Sequence, residues 1–296
     1  MTVLMQVLTL FLLMITGLGA VKYKVLDEKG VKGLNTLVLY FAQPAMILHK
    51  LQTPASPELI IDLIWVFFLT CLTIGLAGVI AFRIFAKETA ERRAVLTNLS
   101  MVSNCGYMGY PVIIATMGES ALIYAVVFVA AFNLMGWTLG AYYFGGPRAM
   151  QPRKLLTNPS LIAVAAGLTL FLTGWRLPSF LNDALNMMGG TTTPLAMFVI
   201  GARLISLRRE HLQDVKLLIV CVLRLLVFPA MILLLRLTPL PDMVVSAVYL
   251  CTAMPCAALT AMQSELFDCD KALASRGVAL STALSMITVP LMLLLV

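Results

Sequence analysis

The sequence predicts an all-α polytopic membrane protein of ten transmembrane helices, built as two inverted five-helix repeats with broken helices at positions 4 and 9. Three observations lead there. Of the 296 residues, 60% are hydrophobic and only 12% are charged, about half the charge of an ordinary soluble domain, so no soluble core would absorb the apolar side chains. The apolar residues fall into runs separated by short polar loops, most of them near the ~20 residues that cross a hydrocarbon layer. Prolines interrupt these runs at positions that recur about half a chain apart.

In chain order the runs cover 3–21, 31–49, 58–84, 92–117, 119–144, 158–174, 178–205, 215–236, 242–266 and 272–296, here numbered span 1 to span 10. Span 1 has no basic residue before it and Lys22, Lys24, Lys29 and Lys32 after it. That is the reverse of a signal peptide, so it should remain as a span with its N-terminus outside. Seventeen Lys and Arg residues, Arg208 and Arg209 among them, lie in the odd-numbered loops, whereas the even-numbered loops hold Lys50, Arg176 and Arg236. The excess places the odd loops in the cytoplasm and both termini outside. Membrane orientation also accounts for the net charge of +7, and no nucleic-acid partner is expected.

Pro44 in span 2 (YFAQPAMILHKL) and Pro194 in span 7 (GTTTPLAMFVIGARL) lie 150 residues apart, and Pro111 in span 4 and Pro255 in span 9 lie 144 apart. Both offsets approach half the chain, as a duplicated five-helix unit requires, with one copy in 1–146 and the other in 147–296. An odd number of spans per unit inverts the second copy. Inverted repeats with interrupted helices at matching positions point to a transporter with its substrate site near the midplane. For Pro44 and Pro194, packing alone is an equal explanation.

Span 4 reads NLSMVSNCGYMGYPVIIATMG. Asn104, Gly106, Gly109 and Pro111 fall close together there, and such a run frees backbone groups that need internal partners or a polar cavity. Half-helix N-termini meeting at such a break suit an anionic ligand, with the Asn104 amide beside them. A proline kink that serves only packing is the plainer reading. Span 9 (VYLCTAMPCAALTAMQSEL) is its natural partner, with Thr252 before Pro255 and Thr260 and Gln263 after it. Cys256 is a weak hydrogen-bonding group whose simplest role is packing. Arg224 lies inside span 8, where an intramembrane charge is a functional hypothesis by default. It would either meet a substrate carboxylate or hold carbonyls at the break of a neighbouring helix.

Several classes are disfavoured. The six cysteines form no CxxC or Cys/His cluster and read as free, buried thiols, so no metal or cofactor is expected. Asp62, Glu119, Asp183, Asp242, Glu265, Asp268 and Asp270 fall at or near span ends, against carboxylate-based cation coupling at the midplane. There is no HExxH or GxSxG, and His49 and His211 lie near loops, so an enzyme is not expected.

At SNCGYMGYPVI the chain resembles the auxin efflux carrier family, whose fourth span carries Asn followed by Gly-x-x-Gly-x-Pro. NTLVLYFAQPAMILHKL, TPLAMFVIGARL, LRLLVFPAM and STALSMITVPLMLLL look like the same family, and the short loop from Gly145 to Pro159 looks like its bacterial and archaeal members. The resemblance implies spans 1, 2, 6 and 7 as a scaffold and spans 3–5 and 8–10 as a mobile transport domain. It implies substrate binding where spans 4 and 9 cross, with Asn104 and Pro255 at the family's binding positions, and room for a homodimer through the scaffold helices. Plant carriers place Gln and a second proline where this chain has Cys256 and Thr260, so the resemblance does not imply auxin as substrate. Bacterial relatives include proteins regarded as malonate and other dicarboxylate carriers. The leading expectation is secondary transport of a small organic anion, a carboxylate, across the bilayer by alternating access. A sodium-coupled symporter of the bile-acid type and a non-transporting membrane sensor or partner protein are the alternatives.

Overall fold

The computed structural model describes residues 3–151, 153–206 and 214–295; the expectations that fall on Arg208, Arg209, His211 and Val296 lie outside the described residues. Among the described residues, four helices are long and apolar enough to cross a membrane: Pro57–Ile84, Glu119–Ala149, Val215–Leu237 and Lys271–Leu293. Shorter apolar helices, Leu8–Lys22, Cys105–Met117, Pro159–Thr173 and Asp242–Thr252, accompany them. Pro57–Ile84 buries Leu63, Val66, Leu69 and Ile74 yet exposes Ile61, Ile64, Phe68 and Leu72 on its other side. A helix apolar on both faces needs lipid as its outer solvent. The chain is an all-α polytopic membrane protein.

The prolines shape the helices in a way their positions only half announce. Three wide, π-type turns, Val38–Ala42, Cys105–Gly109 and Leu223–Val227, each end two residues before a proline, at Pro44, Pro111 and Pro229. At each one the next N–H reaches back five residues, from Gln43 to Val38, Tyr110 to Cys105 and Phe228 to Leu223. A proline ring clashes with the carbonyl four residues before it, and one extra residue in the preceding turn relieves that clash while the helix continues. Pro111 therefore does not break span 4, as its sequence position led us to expect. The interruption falls earlier, at Val102–Asn104.

Close contacts at glycine join spans 1, 2, 6 and 7. A Cβ on Gly201 would lie 1.8 Å from the Met14 carbonyl oxygen, and one on Gly17 would lie 2.0 Å from that of Phe198. Span 1 thus packs backbone to backbone on Thr192–Arg203, as small residues allow when lipid supplies no hydrophobic drive between helices. Gly189 meets the Met46 backbone in the same manner, whereas Gly167 makes room for the Leu51 side chain. A buried cluster around Leu10, Met14, Met197 and Ile200 extends to Met108, Val112, Ala253 and Met254, and so presses spans 1 and 7 against the middle of spans 4 and 9.

Candidate functional site

Two helices stop and restart at one place. Ala90–Met101 ends and helix resumes at Cys105–Gly109 and Tyr110–Met117, while Asp242–Thr252 ends and resumes at Ala258–Leu266. Val102, Ser103 and Asn104 are poor helix formers in succession, and Pro255 removes an N–H from the second gap. The gaps lie across each other, joined by a single antiparallel bridge between Ser103 and Cys256. Asn104 N–H donates to the Pro255 carbonyl at 2.7 Å, and Ala257 N–H donates to the Val102 carbonyl at 3.1 Å. Each gap supplies the partners that the other lacks, which is what an interrupted helix needs inside a membrane. Ser281, on Lys271–Leu293, accepts the Cys256 N–H at 3.1 Å.

The four helix ends at the crossing are treated unequally. Arg224, 2% exposed, donates to the carbonyls of Ser100 at 3.3 Å and Met101 at 3.1 Å and to that of Thr252. It thereby caps the C-terminal ends of both first halves, where a cation opposes the negative end of the helix dipole. Its Nε has no partner among the described residues. The wide turn Leu223–Val227 that precedes Pro229 carries this arginine. At the N-terminal ends the reverse holds, because neither Cys105–Gly109 nor Ala258–Leu266 receives a side-chain cap. Asn104, the half-buried residue before the first of these ends, makes no side-chain hydrogen bond among the described residues.

The crossing gathers Asn104, Gly106, Arg224, Thr252, Pro255 and Cys256. The Thr252 hydroxyl is buried without a partner among the described residues. A Cβ on Gly109 would stand in ordinary contact with the side chains of Met254 and Cys251. Pro111 and Thr260 stand one to two turns away from the gaps. Thr260 donates to Asn98 Oδ1 at 3.1 Å, Asn98 donates to the Gly140 carbonyl at 3.0 Å, and Gln263 donates to the Gly136 carbonyl at 2.8 Å. That buried chain serves the wide turn Gly136–Gly140, whose loosened carbonyls it satisfies. All six cysteines are free, but Cys71, on Pro57–Ile84, and Cys269, in the loop before Lys271–Leu293, are only partly buried.

Sequence reasoning missed Gln43, Tyr110 and Ser281. Gln43 is 3% exposed, and its amide nitrogen lies 2.9 Å from where a Cβ on Gly106 would stand. The one available signal was an amide directly before Pro44 in an otherwise apolar stretch. Across the same seam the Tyr107 hydroxyl donates to Asn35 Oδ1 at 3.0 Å.

Comparison with known proteins places this geometry. The family described as membrane transport protein matches residues 2–151 and 148–293. The chain is 26% identical to an uncharacterized transporter of Methanocaldococcus jannaschii, with 96% of each covered. It is 29% identical to an uncharacterized transporter of Methanothermobacter thermautotrophicus, with 96% of this chain and 95% of the relative covered. With that match running through both broken helices, the chain belongs to the membrane transport protein family, the auxin efflux carriers that its span 4 resembles.

Proposed function

We propose that the protein is a secondary transporter that moves a small carboxylate across a prokaryotic plasma membrane by alternating access. One observation carries the proposal: at the crossing the negative helix ends are capped by Arg224, while the positive ends beside Asn104 are left uncapped. The fixed charge of the site is then net positive, contributed by a guanidinium and by two helix N-termini, and an anion is the complementary ligand. Asn104, Gly106, Gly109 and Pro111 on span 4, and Thr252, Pro255, Cys256 and Thr260 on span 9, form or support that site. Arg224 acts on the ligand mainly through the field, since both of its terminal nitrogens already donate to carbonyls.

The same geometry supports ten spans in two inverted repeats. The bridge pairs Ser103 with Cys256, and its two hydrogen bonds exchange roles across it, as equivalent segments of opposite sense would. Spans 1, 2, 6 and 7, held by glycine contacts, are the scaffold. Spans 3–5 and 8–10 are the moving unit, the termini lie outside, and two copies associate through their scaffolds. Proteoliposomes loaded with unlabelled malonate should accumulate labelled malonate or another short carboxylate by exchange. Absence of flux for every carboxylate tested sinks the proposal. Flux that requires sodium moves it to the bile-acid-type symporter, and binding without flux moves it to a sensor.

A further inference from the structure

Gln43 belongs to span 2, across the seam from the two broken helices, and packing gives no reason for an amide there. It sits among Phe41, Ala42, Pro44, Ala45 and Met46, where leucine or methionine would fill similar volume without a polar group to satisfy. Its amide lies over Gly106, the second residue of the uncapped half-helix, with its nitrogen 2.9 Å from where a Cβ would stand. The missing side chain of Gly106 is what admits it. The same amide faces the Tyr110 hydroxyl, which is fully buried and has no partner in good hydrogen-bond geometry. Two polar groups, both more than nine-tenths buried and poorly served by each other, thus stand against an N-terminus that no side chain caps.

We infer that Gln43 is the specificity-determining contact of this site: it hydrogen-bonds the body of the bound anion from the span 2 side and selects short carboxylates carrying a second polar group over those with an apolar body. The inference rests on the anion-transport reading above. An amide offers two donors and an acceptor, so it satisfies a hydroxyl or a second carboxylate equally, and the Tyr110 hydroxyl can join the same ligand group. A buried hydrogen-bonding group left unpaired by the wrong ligand is a strong basis for rejecting that ligand. Gly106 then has a defined task, since any side chain at this position would displace the amide.

The test uses the purified full chain in nanodiscs, with lactate and malonate as polar probes and butyrate as the apolar one. Affinities are measured by calorimetry, and apparent melting temperature is measured without ligand. For Gln43→Leu the ratio of polar to apolar affinity should fall about tenfold, the size of one lost hydrogen bond. Its melting temperature should hold or rise, because a poorly paired amide has been removed. Gln43→Met, which fills the space with a flexible chain, should give the same ratio and stands in if the leucine variant does not fold. An unchanged ratio in either stable variant overturns the inference and leaves the transporter reading intact. A wild-type protein that binds none of the three probes overturns both.

Discussion

At the gap in span 9, Ala253, Met254, Pro255, Cys256 and Ala257 are all buried, and the free Cys256 N–H is taken by Ser281. At the gap in span 4, Asn104 and Gly106 keep partial exposure, and the Asn104 amide makes no side-chain hydrogen bond among the described residues. The two gaps share a bridge and two backbone hydrogen bonds, so for the main chain they are near equivalents. Their side chains differ. Span 9 closes its gap with proline, small residues and a hydroxyl from span 10, whereas span 4 leaves an amide beside an uncapped helix start. Satisfying a broken backbone and offering groups to a ligand are separable tasks, and in the function proposed above the second falls mainly to span 4. Substitutions should accordingly split into those that lower stability and those that lower affinity.

The largest effect is expected at Arg224, which serves both gaps. Arg224→Gln removes the charge and shortens the reach, leaving the carbonyls of Ser100, Met101 and Thr252 to find other donors. Hydrogen bonds from a charged group are each worth roughly 1.5–3 kcal/mol, so losing several should lower thermal stability without ligand by about 3 kcal/mol or more. Arg224→Lys keeps the charge and loses the planar fork, and should fall between. Wild-type melting of Arg224→Gln would mean that the caps are dispensable and that the arginine serves the ligand instead.

Asn104→Ala should do the reverse. With no side-chain hydrogen bond to lose, it should melt like wild type, while affinity and uptake of the transported anion fall about ten- to a hundredfold, the cost of one hydrogen bond to a charged ligand. Normal uptake would erase the distinction between the gaps.

Much of this was legible in the sequence for a physical reason: apolar runs, a charge inside one of them and an amide in a glycine-rich stretch are local signals. Asn104, Pro255 and both alternatives for Arg224 came from such signals. The exact break in span 4 did not, because Pro111 is the conspicuous residue there and a widened turn absorbs it. Val102–Asn104 opens only because Pro255 and Ala257 lie across from it to exchange hydrogen bonds. Gln43 was hidden for the same reason, since nothing in YFAQPAM says that Gly106 faces it.

Ser281 tests the closed gap. Ser281→Ala leaves the Cys256 N–H buried without its acceptor, and an orphaned buried donor costs about 1–3 kcal/mol. Stability should drop by that amount with anion affinity little changed, read by thermal unfolding and calorimetry on one preparation. A tenfold loss of affinity at unchanged stability would move the span 9 gap into the binding surface.

The smallest effect should come from Thr260, which sequence reasoning placed with the ligand residues. Its hydroxyl is fully buried and donates to Asn98 Oδ1, and Asn98 in turn holds the Gly140 carbonyl in the wide turn of span 5. Thr260→Val keeps the shape and removes that donor, so one acceptor of Asn98 goes unpaired while its bond to Gly140 survives. The expected result is a loss of about 1 kcal/mol in stability, at the low end for a buried hydrogen bond because the neighbouring bond remains, with anion affinity within about twofold of wild type. If Thr260→Val melts normally and binds malonate ten times more weakly, the hydroxyl serves the ligand. Span 9 would then contribute chemistry from its second half, and the division of labour between the two gaps would have to be redrawn.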